Sequence, residues 1–185
     1  NRRLLVWLLG VWLCGLLDET LVAFSTLHMR DGLGATTHER SALLVLWTLG
    51  GGVGLVLAQV LLRRISPLPL LASCAGAGVV TYVGWVLAPS ITVSGVLFFG
   101  VGLTTAPLYP LAKAQAYRSL PDQAGMVNAV GHVFQPLDIV VPLILGVIAD
   151  RFGLVPALLL LAAQPAGLLW IALRTAKQTG TLLRT

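Results

Sequence analysis

The fold is decided by an uncharged stretch of 22 residues, SALLVLWTLGGGVGLVLAQVLL, which occupies positions 41–62. A helix needs about 20 consecutive apolar residues to cross the hydrocarbon core of a bilayer. Five further stretches have a similar length and composition. Together the six predict spans A to F at residues 4–29, 41–62, 68–88, 91–112, 124–149 and 154–173. We therefore expect an all-α integral membrane protein with a single transmembrane domain over residues 1–185.

The composition excludes the other broad classes of protein. Hydrophobic residues make up 57% of the chain and charged residues 10%, against about 45–50% and about 25% in soluble domains. The net charge of +5 arises from 12 basic residues scattered between apolar runs, which form no continuous patch for nucleic acid. The two cysteines lie within apolar runs and lack metal-ligand spacing, so we expect no metal and no cofactor.

The basic residues indicate how the spans are oriented. Lys and Arg accumulate in the short loops on the cytoplasmic side of a membrane. Six alternating spans place nine basic residues on one side, and the other side receives only Arg30, Arg40 and Arg151. The nine are Arg2, Arg3, Arg63, Arg64, Lys113, Arg118, Arg174, Lys177 and Arg184. This distribution predicts a multi-pass protein of the cell membrane with both termini in the cytoplasm.

Three of the seven acidic residues lie inside the predicted spans, whereas no basic residue does. Asp18 and Glu19 lie in span A, and Asp138 lies in span E. Asp18 and Asp138 are each the 15th residue of a 26-residue span, close to the midplane. An ionised carboxylate there costs about 2.5–3.5 kcal/mol, so such residues usually face a water-filled path or a partner. These acids are our candidates for binding a coupling proton or a cationic solute.

A polar stripe accompanies Asp138 on span E. Asn128, His132 and Gln135 precede it at spacings of three or four residues, which places all four side chains on one helix face. Tyr109 on span D is a further polar candidate. The stripe predicts a path for solute and protons, and the alternative is that these groups only hydrogen-bond to neighbouring helices. Spans C and F carry few polar side chains, so we expect them to face lipid.

Glycine and proline mark two other places of interest. Span B contains Gly50, Gly51, Gly52 and Gly54. This cluster predicts close packing against a second helix, and the alternative is a break in the helix at a substrate site. Pro107 in span D is one of several prolines that permit a kink.

The chain resembles the carboxy-terminal half of a major facilitator superfamily transporter. The sequence GVIADRFG at residues 146–153 is similar to the loop motif G-x-L-A-D-R-x-G of that family. The resemblance implies one six-helix bundle of a twelve-helix protein, built as a 3+3 inverted repeat, with a gating role for Gly146, Asp150, Arg151 and Gly153. The junction between spans B and C keeps a weaker copy of the motif, in which Arg63 and Arg64 either share that role or only fix the topology. In the family, the first, second, fourth and fifth helices of each half surround the cavity.

The resemblance implies a secondary active transporter, or permease, that works by alternating access and is coupled to a proton or another cation. Its partners are then a small-molecule solute, a coupling ion, the lipid bilayer and an amino-terminal six-helix half that precedes this chain. A half-size transporter acting as a homodimer is the alternative. A six-helix intramembrane serine hydrolase is a weaker one, because Ser94 and His132 lie roughly 15 Å apart in depth at 1.5 Å per residue. We do not expect an enzyme.

Overall fold

The computed structural model describes residues 2–15, 19–120, 124–131 and 135–179. Within these ranges the chain forms ten α-helices and no β-strand. In chain order they are α1 Arg2–Gly15, α2 Glu19–Asp31, α3 Thr37–Leu61, α4 Pro67–Val86, α5 Ile91–Thr105, α6 Leu108–Arg118, α7 Ala124–Gly131, α8 Gln135–Phe152, α9 Leu154–Leu161 and α10 Ala163–Thr179.

Five stretches of the described chain are long and apolar enough to cross a membrane, as in a multi-pass membrane protein. They are Leu4–Asp31, Thr37–Leu61, Pro67–Val86, Ile91–Arg118 and Leu154–Gln178, and they coincide with predicted spans A, B, C, D and F. The predicted span E falls on α7 and α8 and includes residues 132–134, which lie outside the described residues. The all-helical class is therefore confirmed, and the count of six spans stays a prediction.

Local sequence signals explain where several helices begin. Thr36 precedes α3 and forms a capping box, in which its hydroxyl accepts from the Glu39 N–H at 3.3 Å and its own N–H donates to Glu39 Oε2 at 2.8 Å. This arrangement satisfies two backbone donors at the start of the helix. Helix α4 begins with Pro67. Proline is favoured at this position because the N–H of the first helical residue has no acceptor within the helix, so its absence costs nothing. Gly153 separates α8 from α9 with a φ of +92°, a conformation that favours glycine.

Proline divides the predicted span D into two helices. Helix α5 ends at Thr105, Pro107 follows, and α6 begins at Leu108. Proline supplies no backbone donor, and its ring clashes with the carbonyl four residues earlier, so a regular helix is interrupted there. The prediction ended span D at residue 112, where the apolar run ends. Helix α6 continues for six more residues to Arg118, so the helix is longer than its apolar part.

The packing places α5 and α4 at the centre of the bundle. Helix α5 lies between α3 and α4, α4 also contacts α10, and α1 packs against both α10 and α6. Two apolar clusters fill the interior, one built mainly from α1, α4, α6 and α10 and the other from α2, α3, α4, α5 and α9. In a bilayer the close fit of these side chains holds the helices together, because lipid tails are as apolar as the side chains themselves.

Helices α3 and α5 approach each other backbone to backbone. A Cβ atom built on Gly50 would lie 2.2 Å from the Phe99 carbonyl oxygen, and one on Gly54 would lie 2.2 Å from the Leu103 carbonyl oxygen. A Cβ on Gly102 would lie 2.0 Å from the Trp47 carbonyl oxygen. We call Gly50, Gly54 and Gly102 the glycine seam. It confirms the interpretation of the cluster in span B as a close-packing site, and the alternative of a broken helix is wrong because α3 is continuous.

Spans C and F were expected to face lipid because of their composition, but both also pack within the bundle. Val80 on α4 is 72% exposed, but Tyr82 and Trp85 on the same helix are fully buried. The Tyr82 hydroxyl donates to the Leu158 carbonyl of α9 at 3.0 Å, which ties the two spans together. Since α4 lies between α5 and α10, most of its surface is enclosed although it carries few polar groups.

Candidate functional site

A cavity of about 380 Å³ opens between α1, α3, α5, α6 and α10. Small-molecule sites in proteins are mostly apolar clefts of about 300–1,000 Å³ with a few polar groups that fix orientation. This cavity has that character, because glycine, leucine and tryptophan alternate with a few hydroxyl and amide groups. Its lining comprises Cys14, Trp47, Thr48, Gly51, Gly52, Leu55, Gly102, Thr105, Ala106, Tyr109 and Gln164.

The glycine run of α3 forms one wall of the cavity. Successive residues of a helix point about 100° apart, so Gly50 and Gly54 meet α5 while Gly51 and Gly52 line the cavity. A Cβ atom on Gly52 would meet no atom within 4 Å, and one on Gly51 would meet only the Ala106 side chain at 3.4 Å and the Gly102 carbonyl oxygen at 3.8 Å. The absence of side chains at these two positions therefore keeps space open.

Gln164 is the most deeply buried polar side chain that lines the cavity. It lies on α10 and is 2% exposed. Its Nε2 donates to the Cys14 carbonyl at the long distance of 3.5 Å, and its Oε1 has no hydrogen-bond partner in the part of the chain that the structure describes. A buried acceptor without a partner costs about 1–3 kcal/mol.

Trp47 on α3 also lines the cavity and carries a buried donor. Its indole N–H is buried and, within the described segments, unpaired. The Thr48 and Thr105 hydroxyls donate to carbonyls of their own helices at 3.0 and 2.7 Å, and their lone pairs remain able to accept. The cavity lining thus combines residues that carry an amide, an indole and hydroxyl groups with otherwise apolar side chains.

An aromatic cluster supports Trp47 from behind. Its ring stacks on Phe98 at a centroid distance of 6.0 Å, and Phe98 stacks on Trp85 at 4.7 Å. His28 meets Trp85 edge to face at 5.5 Å and is only 5% exposed. Aromatic rings at these distances pack favourably against one another, so the cluster stabilises the position of Trp47 in the cavity wall.

Two of the predicted polar residues make well-defined contacts. Tyr109 lines the cavity, and its hydroxyl accepts from Lys113 Nζ at 3.0 Å. Asn128 lies on α7, where its Oδ1 accepts from the Tyr117 hydroxyl at 2.9 Å. Asn128 therefore hydrogen-bonds to a neighbouring helix. This contact is the one expected if the polar stripe of span E serves packing and not a solute path.

The three predicted acids, together with His132 and Gln135, lie wholly or by their side chains outside the described residues. This holds for Asp18 and His132 as whole residues. It also holds for the side chains of Glu19, Gln135 and Asp138, whose backbones belong to α2 and α8. A role for these five residues in binding protons or solute stays a prediction.

The residues of the predicted outer loop motif are mostly helical. Gly146 lies within α8, Asp150 and Arg151 occupy its last turn, and Gly153 alone makes the turn to α9. The side chains of Asp150 and Arg151 are exposed. The motif therefore shapes a tight junction between two helices.

Arg63 and Arg64 occupy the exposed turn between α3 and α4. Among the described residues one ion pair is found, between Arg30 Nε and Asp31 Oδ1 at 2.6 Å. Neither Arg63 nor Arg64 belongs to it, so no ion pair within the described chain supports a gating role for them. That role stays a prediction.

Sequence reasoning placed Gln164 on a lipid-facing span and missed its position in the cavity. The available signal was its isolation, since it is the one amide or charged residue among positions 154–173. The serine proposed for the hydrolase alternative, Ser94, is fully buried in α5 and does not line the cavity. The described residues contain no group of three side chains suited to hold a metal ion.

Comparisons with known proteins do not identify the chain: no family model matches it, and no curated protein is significantly similar to it.

Proposed function

We propose that the chain is one six-helix bundle of a secondary active transporter of the major facilitator type, which moves a small solute across a membrane by alternating access. The observation that carries the proposal is the cavity, which has small-molecule size and a mostly apolar lining that includes Gln164, a buried side chain whose amide oxygen is unpaired among the described residues. Four of the five membrane-compatible stretches contribute residues to the lining, and the GVIADRFG motif at residues 146–153 supports the choice of family.

The lining favours a particular class of solute. A molecule with one hydrogen-bond donor and one acceptor on an apolar or aromatic body matches a lining that is mostly apolar and carries the amide of Gln164 and the indole of Trp47. Strongly anionic solutes are disfavoured because the lining residues include no Lys, Arg or His. An uncharged or singly cationic amphipathic molecule is therefore our proposed substrate.

The test compares two glutamines in the full-length protein. A panel of such amphipathic molecules is first ranked by thermal shift, and the best binder is then assayed for flux into proteoliposomes. Gln164→Leu removes the buried acceptor, and Gln59→Leu removes an exposed amide of α3 that lies outside the cavity. The loss of one buried hydrogen bond, about 1–3 kcal/mol, predicts roughly 5- to 150-fold weaker binding for Gln164→Leu alone.

The control for folding comes from the same variants. Gln164→Leu relieves an unpaired buried group, so the thermal stability of the empty protein should not fall. If Gln164→Leu and Gln59→Leu bind and transport the solute as well as the original protein does, the cavity is not the solute site and the proposal fails at that point.

Proton or cation coupling is the second part of the proposal and rests on the membrane depth predicted for the three acids. Burial without a basic neighbour disfavours a charged carboxylate, which favours proton binding and release. Asp138→Asn keeps the shape of the side chain and cannot exchange a proton, so it should abolish gradient-driven flux while leaving insertion intact. Unchanged gradient-driven flux in Asp138→Asn, Asp18→Asn and Glu19→Gln, tested singly and combined, would show that these acids are structural.

The proposal also requires a second bundle. Helix α3 packs mainly on α5, so much of its apolar surface is exposed, and Val56 alone is 61% exposed. Helix α8 exposes Ile139 at 79% and Leu143 at 69%. These faces are covered by lipid, by an amino-terminal half or by a second copy of the chain. The mass of the native protein in mild detergent decides between one twelve-helix chain and a homodimer.

A further inference from the structure

A second groove, separate from the cavity, lies between α1 and α10. It has a volume of about 360 Å³ and shares no lining residue with the cavity. Its inner surface includes Trp7 and Ile171, which are 4% and 2% exposed, and Trp170 at its edge is 54% exposed. The groove is therefore apolar inside and open to the surroundings along one side.

The end of the groove that lies toward the carboxy-terminal end of α10 is basic. The Arg174 guanidinium lies 4.2 Å from the centroid of the Trp170 ring, in a cation–π arrangement. Arg174 is exposed and forms no ion pair within the described residues. Gln178, one turn further along α10, adds an amide group to the same lining. A planar cation stacked on a ring keeps its N–H groups free to meet an anion at the ring's edge.

The two chain segments that form the groove are poor in carboxylates. The sequence contains no Asp or Glu before position 18 or after position 150, whereas the same two segments carry Arg2, Arg3, Arg174, Lys177 and Arg184. The groove thus combines an apolar interior, an interfacial tryptophan and an unopposed positive charge at a helix end. Tryptophan is enriched at the level of lipid headgroups, and basic pockets between membrane helices bind anionic headgroups.

We propose that this groove is a binding site for an anionic phospholipid. The phosphate contacts Arg174 and the Gln178 amide, and one acyl chain lies along Trp7 and Ile171. A soluble anion would use only the basic end and leave the apolar interior empty, and a neutral lipid would leave Arg174 without a counter-charge. The inference does not depend on transport, because the groove and the cavity are lined by different residues.

The experiment measures lipid preference at the groove in the intact protein. The protein is reconstituted in phosphatidylcholine vesicles with a rising fraction of dibrominated phosphatidylglycerol, whose bromine atoms quench nearby tryptophans. Comparison with Trp170→Phe isolates the contribution of the groove to the quenching. We expect the groove to prefer phosphatidylglycerol over phosphatidylcholine several-fold.

Two substitutions of the same kind separate a site from a general surface charge. Arg174→Gln removes the cation of the groove, and Lys177→Gln removes an exposed cation of the same helix that does not line it. One basic contact at a membrane surface predicts a roughly fivefold loss of preference for Arg174→Gln and little change for Lys177→Gln. Equal losses in both variants, or no preference in the original protein, would overturn the proposal.

A conservative variant keeps the test decisive if Arg174→Gln does not insert. Arg174→Lys retains the charge but not the planar stacking on Trp170, so we expect a smaller loss of preference with insertion intact. Excess inorganic phosphate in the buffer provides a further arm. It should not relieve the quenching, because free phosphate cannot occupy the apolar interior, and relief by phosphate would show that the groove binds an anion without a lipid chain.

Discussion

The glycine seam makes a strong prediction about stability, which we develop for Gly54→Ala in α3. The new Cβ would lie 2.2 Å from the Leu103 carbonyl oxygen, whereas side-chain Cβ atoms essentially never approach another atom within 3.0 Å. The two helices must therefore separate locally by at least 0.8 Å. The obstacle is backbone, so no rotamer change can relieve the clash.

The expected cost follows from that displacement. A gap of about 0.5–1 Å forfeits roughly a quarter to a half of the dispersion energy between the surfaces that it separates. Overpacking typically costs about 1–3 kcal/mol, and the upper part of this range applies where backbone meets backbone. Alanine is the better helix former by about 1 kcal/mol, which leaves a net destabilisation of about 2 kcal/mol for Gly54→Ala.

The matched control is Gly52→Ala, which makes the same chemical change two residues earlier. A Cβ there would meet nothing within 4 Å, so only the gain in helix propensity remains and the variant should be stabilised by up to about 1 kcal/mol. The measurement is the free energy of unfolding in mixed micelles, followed by tryptophan fluorescence. If Gly54→Ala proved as stable as Gly52→Ala, the backbone contact between α3 and α5 would not exist as described.

Three further predictions concern single contacts and topology. Tyr82→Phe removes the hydrogen bond to the Leu158 carbonyl and should lower the free energy of unfolding by about 1–3 kcal/mol; an unchanged value would mean that this bond contributes nothing. Thr36→Ala removes the capping box of α3 and should lower the free energy of unfolding by about 1 kcal/mol; an unchanged value would mean that the cap does not stabilise the helix. Cysteines placed at Arg40 and Arg64 should be labelled from opposite sides of the membrane, and labelling from one side would remove a span from the predicted topology.

The sequence predicted best those features that depend on a helix alone. Long apolar runs predicted the five helical stretches that are long enough to cross a membrane, the glycine cluster of α3 predicted close packing, and Pro107 marked the division between α5 and α6. Each of these properties is local, because it follows from the hydrogen bonds, side-chain volume or hydropathy of consecutive residues.

Features that depend on how a helix is rotated were less accessible. Span F is apolar on all sides, so its composition could not show that Gln164 points into a cavity. The stack of Trp47, Phe98 and Trp85 joins three helices, and no spacing within one helix reveals it. The acids of spans A and E remain predictions from membrane depth, since their side chains lie outside the described residues.

The arrangement of α3 separates the residues that can diverge from those that cannot. The seam depends on the absence of a side chain, so Gly50 and Gly54 leave no room for substitution by any other amino acid. Trp47, Thr48 and Leu55 lie on the cavity side of the same helix and do not belong to the seam. During evolution a protein built in this way can change the residues that line its cavity, while the pairing of α3 with α5 is inherited unchanged.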